Sequence, residues 1–285
     1  MSYQYILGFQ TYASHDSGAS IIKFKEGEKP DFIAISEERL SRKKNNYDFP
    51  LLSIKYCMDY FNIKKLSQIN FIITDWIREK KWLRSGPGYS WSKFDIFKEY
   101  INFDKKKIFI IDHHLAHAAS TYYTSKFKKS SILIVDGNGS DLETNSYYFG
   151  ENNKIKLIDK YRSFGIGELY TAISTEILGF GPGGEGKTMG LAPYGNKNKK
   201  IKIPYKFSGI ETNFSDFMKR LPNSDFHSQY NLGKRYLLFK KIKTANKKNV
   251  TKKPYIDWAY EIQNLTEKTM VHFAKDLFKK TKSKN

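Results

Sequence analysis

IFIIDHHLAHAASTYYTSKFKKSSILIVDGNGS, residues 108–140, joins two apolar strands through one helix, and its reading decides the fold. Ile108 to Ile111 is a short β-branched run, the composition of a parallel strand covered on both faces. Asp112 closes it. From His114 the period turns helical, with Leu115, Ala118, Ala119, Tyr122 and Tyr123 at spacings of three and four. His113 and His117 therefore stand one turn apart on the same side, just beyond a strand's carboxyl end, where open α/β sheets hold their ligands. Ile132 to Val135 is a second apolar strand with Asp136 at its end. Two imidazoles and one carboxylate can hold a divalent metal ion and leave positions open for substrate.

A lone HxxxH spacing is a weak signal, because a histidine near a helix start commonly caps the helix or bonds at the surface. Here three of the chain's six histidines fall within five residues, and a strand-end carboxylate follows, which favours a metal site. The metalloprotease pattern HExxH is excluded, since His114 stands where its catalytic Glu belongs.

Upstream, residues 3–9 and the run SIIKF read as strands around the small-residue loop TYASHDSGAS, and DFIAIS begins a third strand. A strand, a polar Gly-containing loop and antiparallel return strands are how actin-like ATPase folds grip a phosphate. His15, Asp16, Ser17 and Gly18 would line that loop; an exposed hairpin turn is the equal alternative. The patch Glu37, Glu38, Arg39, Arg42, Lys43 and Lys44 is a solvated surface, or beside a phosphate an anion clamp. A helix over 51–61, a strand over 69–74 and the tryptophans 76, 82 and 91 read as core and cover.

Downstream, ILIVDGNGSDLETNSYYFG at 132–150 restates ILGFQTYASHDSGASIIKF at 6–24, and 154–162 supplies a third strand of the second set. Two copies of one unit imply duplicated lobes with a ligand between them. Residues 167–180 form a helix with Leu169, Ile173, Ile177 and Phe180 on one face. Residues 181–188 match the phosphate-loop pattern GxxxxGK[ST], but they leave a helix and run into Gly190, Pro193 and Gly195, whereas a phosphate loop leaves a strand and opens a helix. The glycine-rich backbone can still line an anion or nucleotide site, with Lys187 as its charge. Residues 196–253 are Lys- and Asn-rich, an expected insertion of helices and loops. Residues 254–280 form a long amphipathic helix, with Ile262, Leu265, Met270, Phe273 and Leu277 as its buried stripe.

The 285 residues suffice for one large or two moderate domains. A net charge of +20 points toward phosphate-rich partners, yet lysine outnumbers arginine 42 to 7, and direct readers of bases favour the arginine fork. Nucleic acid is therefore not the expected partner. The single cysteine, Cys57, excludes an intrachain disulfide and fits a reducing compartment. No signal-peptide pattern and no membrane-length apolar run is present, so a cytoplasmic location without membrane association is expected.

Taken together, HDSGAS, SEERLSRKK, IDHHLAHAASTYYTS, VDGNGS and GFGPGGEGKTMGLAPYG resemble the N-terminal domain of the O-carbamoyltransferases of nodulation-factor and antibiotic biosynthesis, in that family's order across residues 1–195. The resemblance implies an α/β fold, a duplicated actin-like ATPase (ribonuclease H-like) fold similar to the tRNA threonylcarbamoyl-transfer proteins. Its first lobe is expected at 1–126 and an incomplete second lobe at 127–285. It implies transfer of a carbamoyl group to a hydroxyl of a small-molecule or sugar acceptor. The donor is carbamoyl-adenylate, made from carbamoyl phosphate and ATP by a YrdC-like domain. By the same resemblance His113, His117 and Asp136 are metal ligands, for iron(II) first and zinc or manganese otherwise. His15 and Lys43 approach the carbamoyl-adenylate. Gly137, Gly139, Gly183, Gly184, Gly186 and Lys187 line the nucleotide. In the family a further strand, a Gly-Gly loop, another metal-ligand Asp and the YrdC-like domain follow the last helix. A chain without them is expected to be inactive alone unless a complementing C-terminal chain supplies them. The competing expectations are a non-catalytic nucleotide- or partner-binding half-domain and a basic RNA-associated relative.

Overall fold

The computed structural model describes residues 2–10, 17–44, 46, 48–74, 105–137, 139, 143–162, 165–181, 183–203, 205–213 and 242–285. His15, Asp16 and the tryptophans at 76, 82 and 91 lie outside these residues. The chain divides into two compact units, residues 1–116 and 117–285.

The first unit is built on a five-stranded sheet. Strands β1 (Gln4–Gln10), β2 (Gly18–Phe24) and β3 (Asp31–Ser36) form an antiparallel meander. Strands β4 (Phe71–Thr74) and β5 (Ile108–Ile110) add to β1 in parallel, giving the order β3-β2-β1-β4-β5. Alternation along these strands sends Leu7, Phe9, Ala19, Ile21, Ile72 and Ile108 to one face. There they pack with Ile54 and Cys57 of helix α2 (Leu51–Tyr60).

Between β3 and α2 lies the short helix α1 (Glu37–Ser41). Its first residue, Glu37, is buried and spends both carboxylate oxygens on the free amides at the start of α2, Leu52 N at 3.2 Å and Ser53 N at 2.8 Å. A carboxylate there satisfies two orphan donors and meets the positive end of the helix dipole. One acidic residue of the expected surface patch is thus a structural cap.

Strand β5 departs from the expectation of a run covered on both faces. Ile108 is buried, but Phe109 is 49% exposed and Ile110 37%. Apolar composition records the core-facing residues correctly and is silent on whether the other face finds a cover.

Helix α3 (His113–Tyr122) spans the division between the units. The second unit continues with β6 (Lys129–Val135), β7 (Asn145–Glu151) and β8 (Lys154–Tyr161), an antiparallel meander in the order β6-β7-β8. Helix α4 (Ile166–Ala172) passes into a π-helical turn at Ile173–Ile177. Helix α5 (Glu185–Leu191) and a hairpin of β9 (Lys206–Ser208) and β10 (Glu211–Asn213) precede α6 (Tyr255–Thr281). At 27 residues, α6 is about 40 Å long. Its stripe of Trp258, Ala259, Ile262 and Leu265 packs against Ile166, Leu169, Ile173 and Ile177, while Phe273 and Leu277 join Tyr147 of β7 in a separate cluster.

One further expectation is revised. The glycine-rich loop does leave a helix, but its Glu185–Leu191 portion opens another, α5, instead of running on as irregular chain. Of residues 196–253, the described parts hold the β9–β10 hairpin and turns, and the expectation of helices falls to 204 and 214–241, which lie outside the described residues.

Candidate metal centre

The site begins with Asp112. Its Oδ1 accepts the Leu115 amide at 2.8 Å and its carbonyl accepts the Ala116 amide at 2.9 Å, so it caps α3 and fixes the first turn. His113 then falls at the helix start and His117 one turn on, their side chains sharing a face. His113 and His114 are buried, whereas the His117 side chain is 49% exposed.

Asp136 arrives from the end of β6. Its amide donates to Thr144 O at 2.9 Å, closing the β6–β7 pair, and its Oδ1 accepts the Gly137 amide at 2.6 Å. That bond orients the carboxylate, and Oδ2 lies 3.3 Å from His117 Nε2. One ligand atom each from His113, His117 and Asp136 can be chosen so that all three lie within 4.8 Å of one another. Ligands about 2.1 Å from one ion, at angles between octahedral and tetrahedral, sit about 3.0–3.4 Å apart. The His117–Asp136 pair already has that spacing. The donor set, two borderline nitrogens and one hard oxygen, suits a divalent transition ion and is unsuited to an all-oxygen calcium site.

The other expected residues fall as follows. Gly137 sits in open space, where an added Cβ would meet nothing within 4 Å. The Gly139 amide donates to Glu143 O at 2.6 Å, and a Cβ on Gly139 would collide with the buried Glu143 side chain. Gly183 has φ +77°, a conformation glycine adopts without strain, and Gly184 is buried against Phe180. Gly186 and Lys187 lie in the first turn of α5, with Lys187 exposed and its Nζ 5.9 Å from the centre of the Phe180 ring. Thr188 is buried and donates to Ser174 Oγ at 2.7 Å, so it cannot serve a bound phosphate as the last residue of a phosphate loop does.

In the first unit Lys43 is exposed, 3.7 Å from Asp48. A cavity of about 490 Å³ there is lined by Gln10, Ser17, Gly18, Ser36 and Arg39. Ser17 is anchored, its amide and hydroxyl both donating to Asn46 O at 2.8 and 3.0 Å. The cation lining this cavity is Arg39, not Lys43.

Two residues with definite work, Glu37 and Asp112, were not singled out for it, nor was the buried Glu143, whose carbonyl accepts the Gly139 amide. An Asp directly before a helical period is a capping signal that the sequence carries openly. Glu37 and Glu143 carry no such signal, since their burial depends on tertiary contacts.

Among known proteins, the family described as "Carbamoyltransferase N-terminus" matches residues 89–285. The nodulation protein NolNO of Sinorhizobium fredii is 30% identical over 197 residues, covering 64% of this chain and 28% of that protein. The uncharacterized protein MJ1051 of Methanocaldococcus jannaschii is 31% identical, covering 63% of this chain and 32% of its own length. The chain thus spans about a third of the length of these curated relatives. Among solved structures, YeaZ from Pseudomonas aeruginosa aligns over 55% of this chain and 66% of its own, with 12% identity and a TM-score of 0.32. The family match takes in α3, β6, the glycine-rich turn and α6 in a single span, and by that match the chain belongs to the carbamoyltransferases, corresponding to their N-terminal part.

Proposed function

We propose that this chain is the metal-binding part of an O-carbamoyltransferase that passes a carbamoyl group from carbamoyl-adenylate to a hydroxyl of a small-molecule or sugar acceptor. The observation that carries this reading is the convergence of His113, His117 and Asp136. These residues would hold a divalent ion, iron(II) first and zinc or manganese otherwise, which when bound supplies Lewis acidity toward carbamoyl or hydroxyl oxygen.

The chain's own residues prepare that site. Asp112 fixes the turn that bears both imidazoles, and the Gly137 amide holds Asp136 so that Oδ2 faces His117. Bare backbone at Gly137 and Gly186 lets a nucleotide approach closely, and Lys187 supplies charge. Arg39, beside Ser17 and Gly18, gives the first unit a cation suited to a phosphate, with His15 and Lys43 as further groups for the carbamoyl-adenylate.

The duplicated actin-like architecture is part of the proposal. Each unit contains a three-stranded antiparallel meander, β1-β2-β3 and β6-β7-β8. In the first unit only β2 runs against the others, as the ribonuclease H-like arrangement requires. A complementing C-terminal segment pairing with β6 is part of the same reading. Strand β6 is at the edge of its sheet, and its Ser131 amide already donates to Asn285 O at 2.7 Å.

The test is carbamoyl transfer from carbamoyl phosphate and ATP to a panel of polyhydroxylated sugars, with the chain alone and with a polypeptide carrying a YrdC-like domain. Transfer is expected in the combination and is expected to be lost with His117→Ala. Undiminished transfer by His117→Ala contradicts the proposal.

A further inference from the structure

The second unit carries a groove that the proposed reaction does not use. It lies between Ile201, Lys202, Ile203 and Tyr205 on one side and α6 on the other, and its volume is about 340 Å³, at the small end of ligand pockets. Ile201, Ile203 and Leu265 give it apolar lining, Tyr205 an aromatic side, and Lys202 and Lys268 two cations. Residues 261, 264, 265 and 268 of α6 all line it, the spacing of one helix face.

The sequence holds this groove open for a definite reason. The Asn196 amide and the Asn198 side-chain amide donate to the two oxygens of Asp257 at 3.1 and 2.9 Å. The Asn198 backbone amide donates to Glu261 Oε1 at 2.8 Å. The Asp257 bonds peg the chain to α6 one turn before the groove begins, and the Glu261 bond engages the one carboxylate in its lining. Lys202 and Lys268 are both exposed, and neither has an ion-pair partner among the described residues. An apolar trough with an aromatic wall, two ammonium groups and a single carboxylate already engaged by a backbone amide is complementary to a ligand with an apolar body and an anionic head.

We propose that this groove binds a small organic anion, an aromatic or heteroaromatic ring bearing a carboxylate or phosphate. The ring lies against Tyr205 and Leu265, and the anionic group is shared by Lys202 and Lys268. The inference stands apart from the carbamoyltransferase reading, whose failure leaves it untouched.

The test is titration of the full chain with phenyl phosphate and with phenylacetate, followed through the backbone amide signals of Ile201, Lys202, Ile203, Tyr205 and residues 261–268. Saturable shifts concentrated at these residues are expected for at least one of the two, and the preference between them identifies the head group. The double variant Lys202→Glu, Lys268→Glu is expected to bind about tenfold more weakly, a loss within reach of two exposed charge contacts. The single variants Lys202→Gln and Lys268→Gln, with intermediate losses expected, guard against a folding defect in the double variant. The proposal is overturned if neither ligand shifts these signals or if the charge variants bind as the parent does. It is equally overturned if benzyl alcohol or inorganic phosphate alone binds there as well as phenyl phosphate.

Discussion

Cys57 shows what burial does to a single group. It sits in the core of the first unit with no exposed surface, and burial pushes its thiol up to about 11 against a small opposing contribution from the Ile21 backbone. Since the thiolate is the reactive form, Cys57 should resist an aromatic disulfide reagent at pH 8 and react at once in denaturant. Rapid labelling of the native chain would place Cys57 outside the core. Glu37 makes the opposite point. It looked like one charge in a surface patch, yet its oxygens serve two α2 amides, and Glu37→Ala should cost about 1–3 kcal/mol in a denaturant titration. Residue identity alone could not separate Glu37 from its neighbour Glu38, because the distinction lies in where α2 begins relative to β3.

At the scale of the element, α3 is a short helix that depends on its cap. Asp112→Ala removes the acceptor for the Leu115 amide, and a loss of about 1 kcal/mol is expected, with Asp112→Asn close to the parent. If α3 is the metal-bearing helix, Asp112→Ala should also weaken metal affinity more than it weakens stability, because it loosens the turn that sets the His113–His117 spacing. Helix α6 was legible from its period, and Ile262, Leu265, Phe273 and Leu277 are all buried. Ile262→Ala should cost about 2–5 kcal/mol, since Ile262 is fully buried among Trp258, Leu169 and Ile173. Strands β1 to β8 were legible too, with ends differing by a few residues, because alternation and β-branching are local, whereas the three-residue strands β9 and β10 were not. The GEGKT helix was not, since glycines at 184, 186 and 190 mask a turn that Thr188 secures through Ser174.

For the whole molecule, buried acids weaken the fold at alkaline pH, among them Cys57, Tyr170 and Tyr147, whose phenol is also held above its ordinary value by burial. Burial, followed by the charges of Glu185 and Glu267, pushes the Tyr170 phenol up to about 12, and Cys57 is raised to about 11. Both groups are neutral when folded and ionise more readily when unfolded. Their contribution is therefore complete below about 9 for the thiol and 10 for the phenol, and is lost as pH rises through the raised values. Thermal midpoints should be steady from pH 7 to about 9 and fall progressively toward pH 12. Cys57→Ser and Tyr170→Phe should each flatten part of that fall. The strand runs of β1-β2-β3 and β6-β7-β8, and the spacing that brings His113, His117 and Asp136 together, were readable because each is a short local signal. The groove along α6 was not, because it joins Ile201, Ile203 and Tyr205 to residues 261–268, about sixty residues on.

The most direct test of the central claim is the metal content of the purified 285-residue chain, measured for the parent and for His117→Ala after anaerobic loading with iron(II). The account predicts close to one ion per chain in the parent and a loss of most of it in His117→Ala, with the thermal midpoint of the parent raised by the bound ion. A parent that retains no ion, or a variant that retains as much as the parent, contradicts the account.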